Sequence, residues 1–251
     1  MAVFLMIHGA WHGGWSFDLL RDGLEVHGHT MVAPDLPGTD GNAALARATL
    51  AGWADFVAGL ARSQAEAVIL CGHSRGGIVI SEAAERAPEA IAALVYISAF
   101  LVPDGSSLAD FAAPHSAGFA AGLRLVAGGT ATAVSSQAAI SAFYNRVPET
   151  VARNVAGRLV PEPVCIRSTR LSLSPERYGT VERHYIECSD DRMIPIETQR
   201  AMQKLSPVAS SAMLNSDHSP SLSCSDDLLR ELLRVAAYIC GETDEETRDG
   251  A

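Results

Sequence analysis

The 251-residue chain has one lysine, Lys204, and no G-K-[ST] sequence. A phosphate-binding P-loop is thereby excluded, and chemistry at a lysine amine is not expected. It has no basic stripe either: 19 Lys and Arg stand against 29 Asp and Glu, a formal charge of −10. Nucleic acid is therefore not an expected partner. No apolar run approaches the roughly 18 residues of a membrane span, so no membrane association is expected. The apolar opening, residues 1–7, has no basic flank and stops at His8. It is too short for a signal-peptide core and reads as a strand of an unexported protein. The five cysteines (Cys71, Cys165, Cys188, Cys224, Cys240) are scattered and form no C-x-x-C pair. That argues against a zinc knuckle or a thioredoxin-like site, and free thiols point to the cytoplasm.

What is present is apolar: hydrophobic residues make up 48% and charged residues 19%, which excludes intrinsic disorder. The length suits a single large domain. Short apolar runs at 3–7, 30–33, 67–71, 92–98, 181–188 and 209–215 read as strands. Helical patterns at 43–62, 76–86, 197–204 and 225–239 alternate with them. Several strands are continuously apolar, as strands covered on both faces are, so the spacing predicts a mostly parallel sheet flanked by helices. The alternation breaks between 103 and 179. That stretch is rich in Gly, Ala and Ser, shows no clear strand, and contains helical pieces at 137–144 and 148–158. It is expected to form a helical cap inserted into a core of residues 1–102 and 180–241. Residues 242–251 are acidic and expected to be a disordered tail.

The strongest local signal is Gly72-His73-Ser74-Arg75-Gly76-Gly77, a G-x-S-x-G sequence between a strand and a helix. A serine on such a sharp turn adopts a strained backbone, and side chains two residues either way would collide. The turn lifts the hydroxyl above the sheet and aims a helix N-terminus at negative charge. Ser74 is the expected nucleophile. A serine hydroxyl needs a general base, and the base an orienting carboxylate. On this architecture they follow in the order Ser, acid, His. Beyond the insertion, His184 falls mid-strand and reads as structural, whereas His218 falls in the loop after the last strand, where catalytic groups collect. His218 is the expected base. Asp190 and Asp191 both end the preceding strand, and the spacing to Pro195 favours Asp191. Asp217 reads as a turn residue of the Asx type.

The first strand runs into His8-Gly9-Ala10-Trp11-His12-Gly13-Gly14-Trp15. This loop brings a backbone N–H towards the nucleophile, so the N–H groups of Ala10 and Arg75 are the expected oxyanion donors. His8 and His12 straddle a strand end and a loop without an HExxH pattern, so a metal site is not expected. Arg75 puts a cation at a helix N-terminus, which costs roughly 0.3–1 kcal/mol when exposed. A protein carboxylate or an anionic substrate group would each account for it, the first being commoner. Trp11, Trp15 and Trp53 are read as core.

In combination these segments resemble the α/β-hydrolase superfamily, and within it the group of plant methylesterases, hydroxynitrile lyases and bacterial carboxylesterases. Further segments carrying the resemblance are Ala33-Pro34-Asp35-Leu36-Pro37-Gly38, Cys188-Ser189-Asp190-Asp191-Arg192-Met193-Ile194-Pro195 and Asp217-His218-Ser219. The resemblance implies the α/β-hydrolase fold with a six-stranded sheet, and supports Asp191, four before the proline. Lyase members carry a threonine after the first-strand histidine and a lysine after the catalytic one. Gly9 and Ser219 stand there instead, which disfavours cyanide release. The expected protein is a cofactor-free serine carboxylesterase acting on small to medium hydrophobic esters, as a monomer or homodimer. Lactone or amide hydrolysis on the same residues is the alternative, as is a small-ligand-binding protein that retains them. Phe111, Phe119, Phe143 and Tyr144 are the expected aromatic residues of a substrate pocket under the cap.

Overall fold

The computed structural model describes residues 1–39, 45–112 and 117–241. Its strands are β1 (Val3–Ile7), β2 (Thr30–Val32), β3 (Val68–His73), β4 (Ile91–Ile97), β5 (Leu123–Val126), β6 (Ala131–Val134), β7 (Glu162–Pro163), β8 (Arg183–Cys188) and β9 (Ser210–Leu214). Its α-helices are α1 (Arg21–Val26), α2 (Leu50–Arg62), α3 (Gly76–Arg86), α4 (Leu108–Phe111), α5 (Ala117–Gly122), α6 (Ser136–Phe143), α7 (Glu149–Ala156), α8 (Val164–Ser168), α9 (Ile196–Leu205), α10 (Pro220–Ser223) and α11 (Ser225–Cys240).

The main sheet has the order β2-β1-β3-β4-β8-β9, with every neighbouring pair parallel. Both faces are apolar, which explains the continuous runs. Leu5, Ile7, Val68, Leu70, Leu94 and Tyr96 point to one face and pack with α2, α3 and Met202 of α9. Phe4, Met6, Ile69, Cys71, Val95 and Ile97 point to the other and pack with Leu24 of α1 and Leu228, Leu232 and Val235 of α11. The strand order reverses at β1, and the crevice above a reversal is where ligands sit in open α/β sheets.

The expected helix over 43–62 begins later. Residues 43 and 44 lie outside the described residues, Leu45–Arg47 makes one 3-10 turn, and α2 starts at Leu50. Thr49 supplies the reason: its side chain accepts a hydrogen bond from the Gly52 N–H at 3.0 Å and caps the helix there.

The cap is not purely helical, which corrects the expectation of a strand-free insertion. β5, β6 and β7 form a three-stranded antiparallel sheet. β5 and β6 are joined at Ala127-Gly128-Gly129, where all three residues have positive φ (50°, 65° and 90°). Four-residue strands are too short to show a period, and the alanines of β6 blunt what period there is. Phe119, Ala139, Phe143, Tyr144 and Ala152 form a separate cluster within the cap. Leu108, Ile166, Leu171 and Tyr178 instead join the cluster on the main sheet. The acidic segment 242–251 lies outside the described residues.

Thr49→Ala should cost about 1 kcal/mol, a typical N-cap loss. It should lower the urea midpoint of unfolding without changing the denaturant slope.

Candidate active site

Ser74 stands between β3 and α3 with φ 53°, in the left-handed region. The glycines around it are sterically required. A Cβ at Gly72 would lie 2.8 Å from the carbonyl of Gly76, one at Gly76 2.5 Å from the Ile7 oxygen, and one at Gly77 2.5 Å from the Phe100 oxygen. The loop after β4 braces the turn: the Ser74 N–H donates to the Ile97 oxygen at 3.3 Å, and the Phe100 N–H donates to the Ser74 oxygen at 3.0 Å.

Over this turn the structure brings together the three side chains singled out in the sequence. His218 Nε2 lies 3.0 Å from Ser74 Oγ, and His218 Nδ1 lies 2.6 Å from Asp191 Oδ2. All three are buried. Asp191 is held on both oxygens. Oδ1 accepts from the N–H groups of Met193 (2.6 Å) and Ile194 (2.8 Å), and Oδ2 accepts from Ser98 Oγ at 2.5 Å. Asp190, the rival, is turned towards Asn145 (3.1 Å) and Arg146 (3.6 Å). Asp217 makes the expected Asx turn, accepting from the Ser219 N–H at 3.0 Å, and also accepts from the Arg146 N–H at 2.7 Å. His184 is buried in β8 against Ser210 Oγ at 2.8 Å, away from Ser74.

Residues 4–231 match the alpha/beta hydrolase family. The chain belongs to that family. It is 30% identical to Salicylic acid-binding protein 2 from Nicotiana tabacum over 93% of its own length and 96% of that protein. It is 29% identical to Methylesterase 7 from Arabidopsis thaliana over 93% of its length and 95% of that protein. A pyrethroid hydrolase from Sphingobium faniae JZ-2 superposes with a TM-score of 0.84 at 24% identity, covering 94% of this chain and 97% of that one, which supports the fold.

In this hydrolase a cavity of about 310 Å³ opens beside Ser74 and His218. Ala10 and Arg75 both line it. So do Leu108, Leu123, Phe143, Val164 and Met193, and the lining is mainly apolar. Of the four aromatic residues expected there, Phe143 lines the cavity. Phe119 packs behind it, edge-on to Phe143 at 5.4 Å between centroids. Tyr144 turns away and its hydroxyl donates to His12 Nε2 at 2.8 Å. Phe111 packs on the cluster of the main sheet. Trp11, read as core, is half-buried: it packs on Phe119 and Phe143 of the cap cluster and also lines the cavity. Trp53 is core, as expected.

The Arg75 guanidinium is buried and pairs with Glu162 of β7, Nε to Oε1 at 2.9 Å, while lying 4.4 Å from the centre of the Trp53 ring. Burial pushes the Glu162 carboxyl up and the Arg75 guanidinium down, and the opposite charge of each offsets part of the shift. Sequence reasoning missed Glu162 because an acid in a two-residue strand carries no pattern. It also missed His73, whose Nε2 donates to the His218 carbonyl at 2.6 Å and fixes the backbone of that loop.

His8, His12 and His73 surround the site with neutral rings. Desolvation by burial pushes His8 and His73 well below the usual imidazole range and His12 down to about 4. Their hydrogen bonds suit the neutral form: His8 Nδ1 donates to the Gly9 oxygen while Nε2 accepts from the Leu36 N–H.

The unfolded chain takes up protons on these rings near 6.5, and for His12 the folded chain waits until about 4. Stability should therefore fall as pH drops through that window and recover above it. The urea midpoint, followed from neutral pH to about 5, should decline, and His12→Asn should make the decline shallower. A flat midpoint would contradict the burial argument.

Proposed function

We propose that the chain is a serine carboxylesterase for small to medium hydrophobic esters, working through Ser74, His218 and Asp191. The observation that carries the reading is the continuous hydrogen-bonded chain from Ser74 Oγ to Asp191 at the wall of an apolar cavity. Ser74 Oγ attacks the ester carbonyl while His218 Nε2 takes its proton. Asp191 holds the imidazole by Nδ1 and stabilises the imidazolium that forms. The carbonyl oxygen, now an oxyanion, meets the N–H groups of Ala10 and Arg75. Arg75 caps the N-terminus of α3, where N–H groups lack intrahelical acceptors. His218 hands the proton to the departing alcohol. Water, activated by the same imidazole, then attacks the acyl-serine and releases the acid.

The relatives support ester chemistry: Methylesterase 7 is named for it. The apolar lining supports hydrophobic substrates, and a volume near 310 Å³ is at the small end of ligand cavities. No cofactor enters the mechanism, and no macromolecular partner is needed. Among the described residues no helix is long and apolar enough to cross a membrane. All five cysteines are unpaired, which fits the reducing cytoplasm proposed for the chain.

Ser74→Ala should reduce hydrolysis of nitrophenyl acetate and butyrate by at least roughly a thousandfold. A fluorophosphonate should label the parent at Ser74 and leave the variant unlabelled. Retention of most of the hydrolysis in Ser74→Ala would refute the reading, and an unlabelled parent would point to a binding protein. A panel of lactones and amides, run beside the esters, should show the esters turned over fastest.

A further inference from the structure

We propose that Glu162, a carboxylate of the cap, is a positioning residue for the oxyanion site. It acts through Arg75 on the peptide that carries the Ala10 N–H. The inference rests on the esterase reading above.

The covalent geometry makes the connection. The Ala10 N–H belongs to the Gly9–Ala10 peptide, whose carbonyl is the Gly9 oxygen. A trans peptide is planar, so a group that fixes the carbonyl also fixes the direction of the N–H on the other side. Arg75 Nη2 donates to the Gly9 oxygen at 3.0 Å. Such a charge-assisted bond polarises the peptide as well as orienting it, and so strengthens its N–H as a donor. Arg75 itself needs a fixed guanidinium to do this. Glu162 holds it, with Oε1 accepting from Nε at 2.9 Å and Oε2 from Nη2 at 3.4 Å.

The same carboxylate reaches the next peptide. Glu162 Oε2 accepts from the Trp11 N–H at 3.4 Å. Trp11 holds a left-handed backbone that a bulky residue rarely adopts, and such a conformation persists only where its surroundings over-determine it. They do so from the cap: the Val160 N–H donates to the Trp11 oxygen at 2.9 Å, and Trp11 Nε1 lies 3.2 Å from Thr132 Oγ1. On the inner side His12 Nδ1 donates to the Ala10 oxygen at 2.7 Å. One buried acid thus ties the cap sheet, the loop after β1 and the first residue after Ser74. A buried ion pair is weak evidence for stability alone, since apolar replacements are often as stable. The placement of this one, bonded to the oxyanion-loop peptide, argues for alignment.

The test compares Glu162→Gln with the parent, using nitrophenyl butyrate and two inhibitors of equal shape. A trifluoromethyl ketone adds to Ser74 and forms an oxyanion; the corresponding secondary alcohol does not. In Glu162→Gln, kcat should fall about tenfold or more, part of what a lost oxyanion donor costs. KM should stay within about twofold. Ketone affinity should fall by the same factor as kcat/KM, and alcohol affinity should not change. Should Glu162→Gln fail to fold, the paired variant Arg75→Met, Glu162→Leu removes both charges and keeps the Arg75 backbone N–H position. It should show the same pattern. A folded variant of either kind with parental kcat would overturn the proposal. So would a loss confined to KM, or equal weakening of ketone and alcohol. Absence of ester hydrolysis in the parent would instead remove the esterase reading, so the two failures are distinguishable.

Discussion

The left-handed backbone at Ser74 is a conformation that costs on the order of 1–3 kcal/mol for a residue with a side chain, and the fold keeps it by contact from both sides. The first turn of α3 lies so close to β1 that a single methyl group at Gly76 would meet the Ile7 oxygen at 2.5 Å. The loop after β4 closes on the other side, with Phe100 hydrogen-bonded to the Ser74 oxygen. Strand β3 therefore cannot relax its last turn without parting from both neighbours. The hydroxyl is presented over the sheet as a result, and every other part of the site is arranged around that fixed point.

The arrangement there follows from how Asp191 and His218 are hydrogen-bonded. Asp191 takes two backbone N–H bonds on one oxygen and Ser98 and His218 on the other, so its side chain has no freedom to leave the imidazole. His73 holds the His218 carbonyl, which places the ring from its backbone side. His73 and two further histidines, His8 and His12, stand around the site, yet desolvation keeps them neutral. They serve as hydrogen-bonding spacers. A cluster of charged imidazoles there would oppose the imidazolium that the proposed mechanism forms at His218.

Much of this was legible in the chain, for reasons that differ from residue to residue. The β3–α3 turn was readable because its glycines are demanded by local sterics. His218 and Asp191 were readable because loops at the carboxyl ends of strands collect such groups, and the choice over Asp190 rested on the spacing to a proline that opens α9. The sequence around Arg75 does not point to Glu162, since 87 residues separate them. The cap sheet was missed because its strands are two to four residues long. Phe119 and Tyr144 were placed at the pocket by type alone; the backbone turns them behind Phe143 and towards His12.

Local composition and spacing determined the strands of the main sheet, their alternation with helices and the turn that carries Ser74, because each leaves a pattern a few residues long, and they marked His218 and Asp191 only as candidates by their place after strands. Only the tertiary structure decided which aromatic side chains face the cavity, which carboxylate neutralises Arg75, and how the cap meets the loop after β1. Those depend on which distant surfaces exclude water from one another, and burial at that range leaves no periodic mark in the chain.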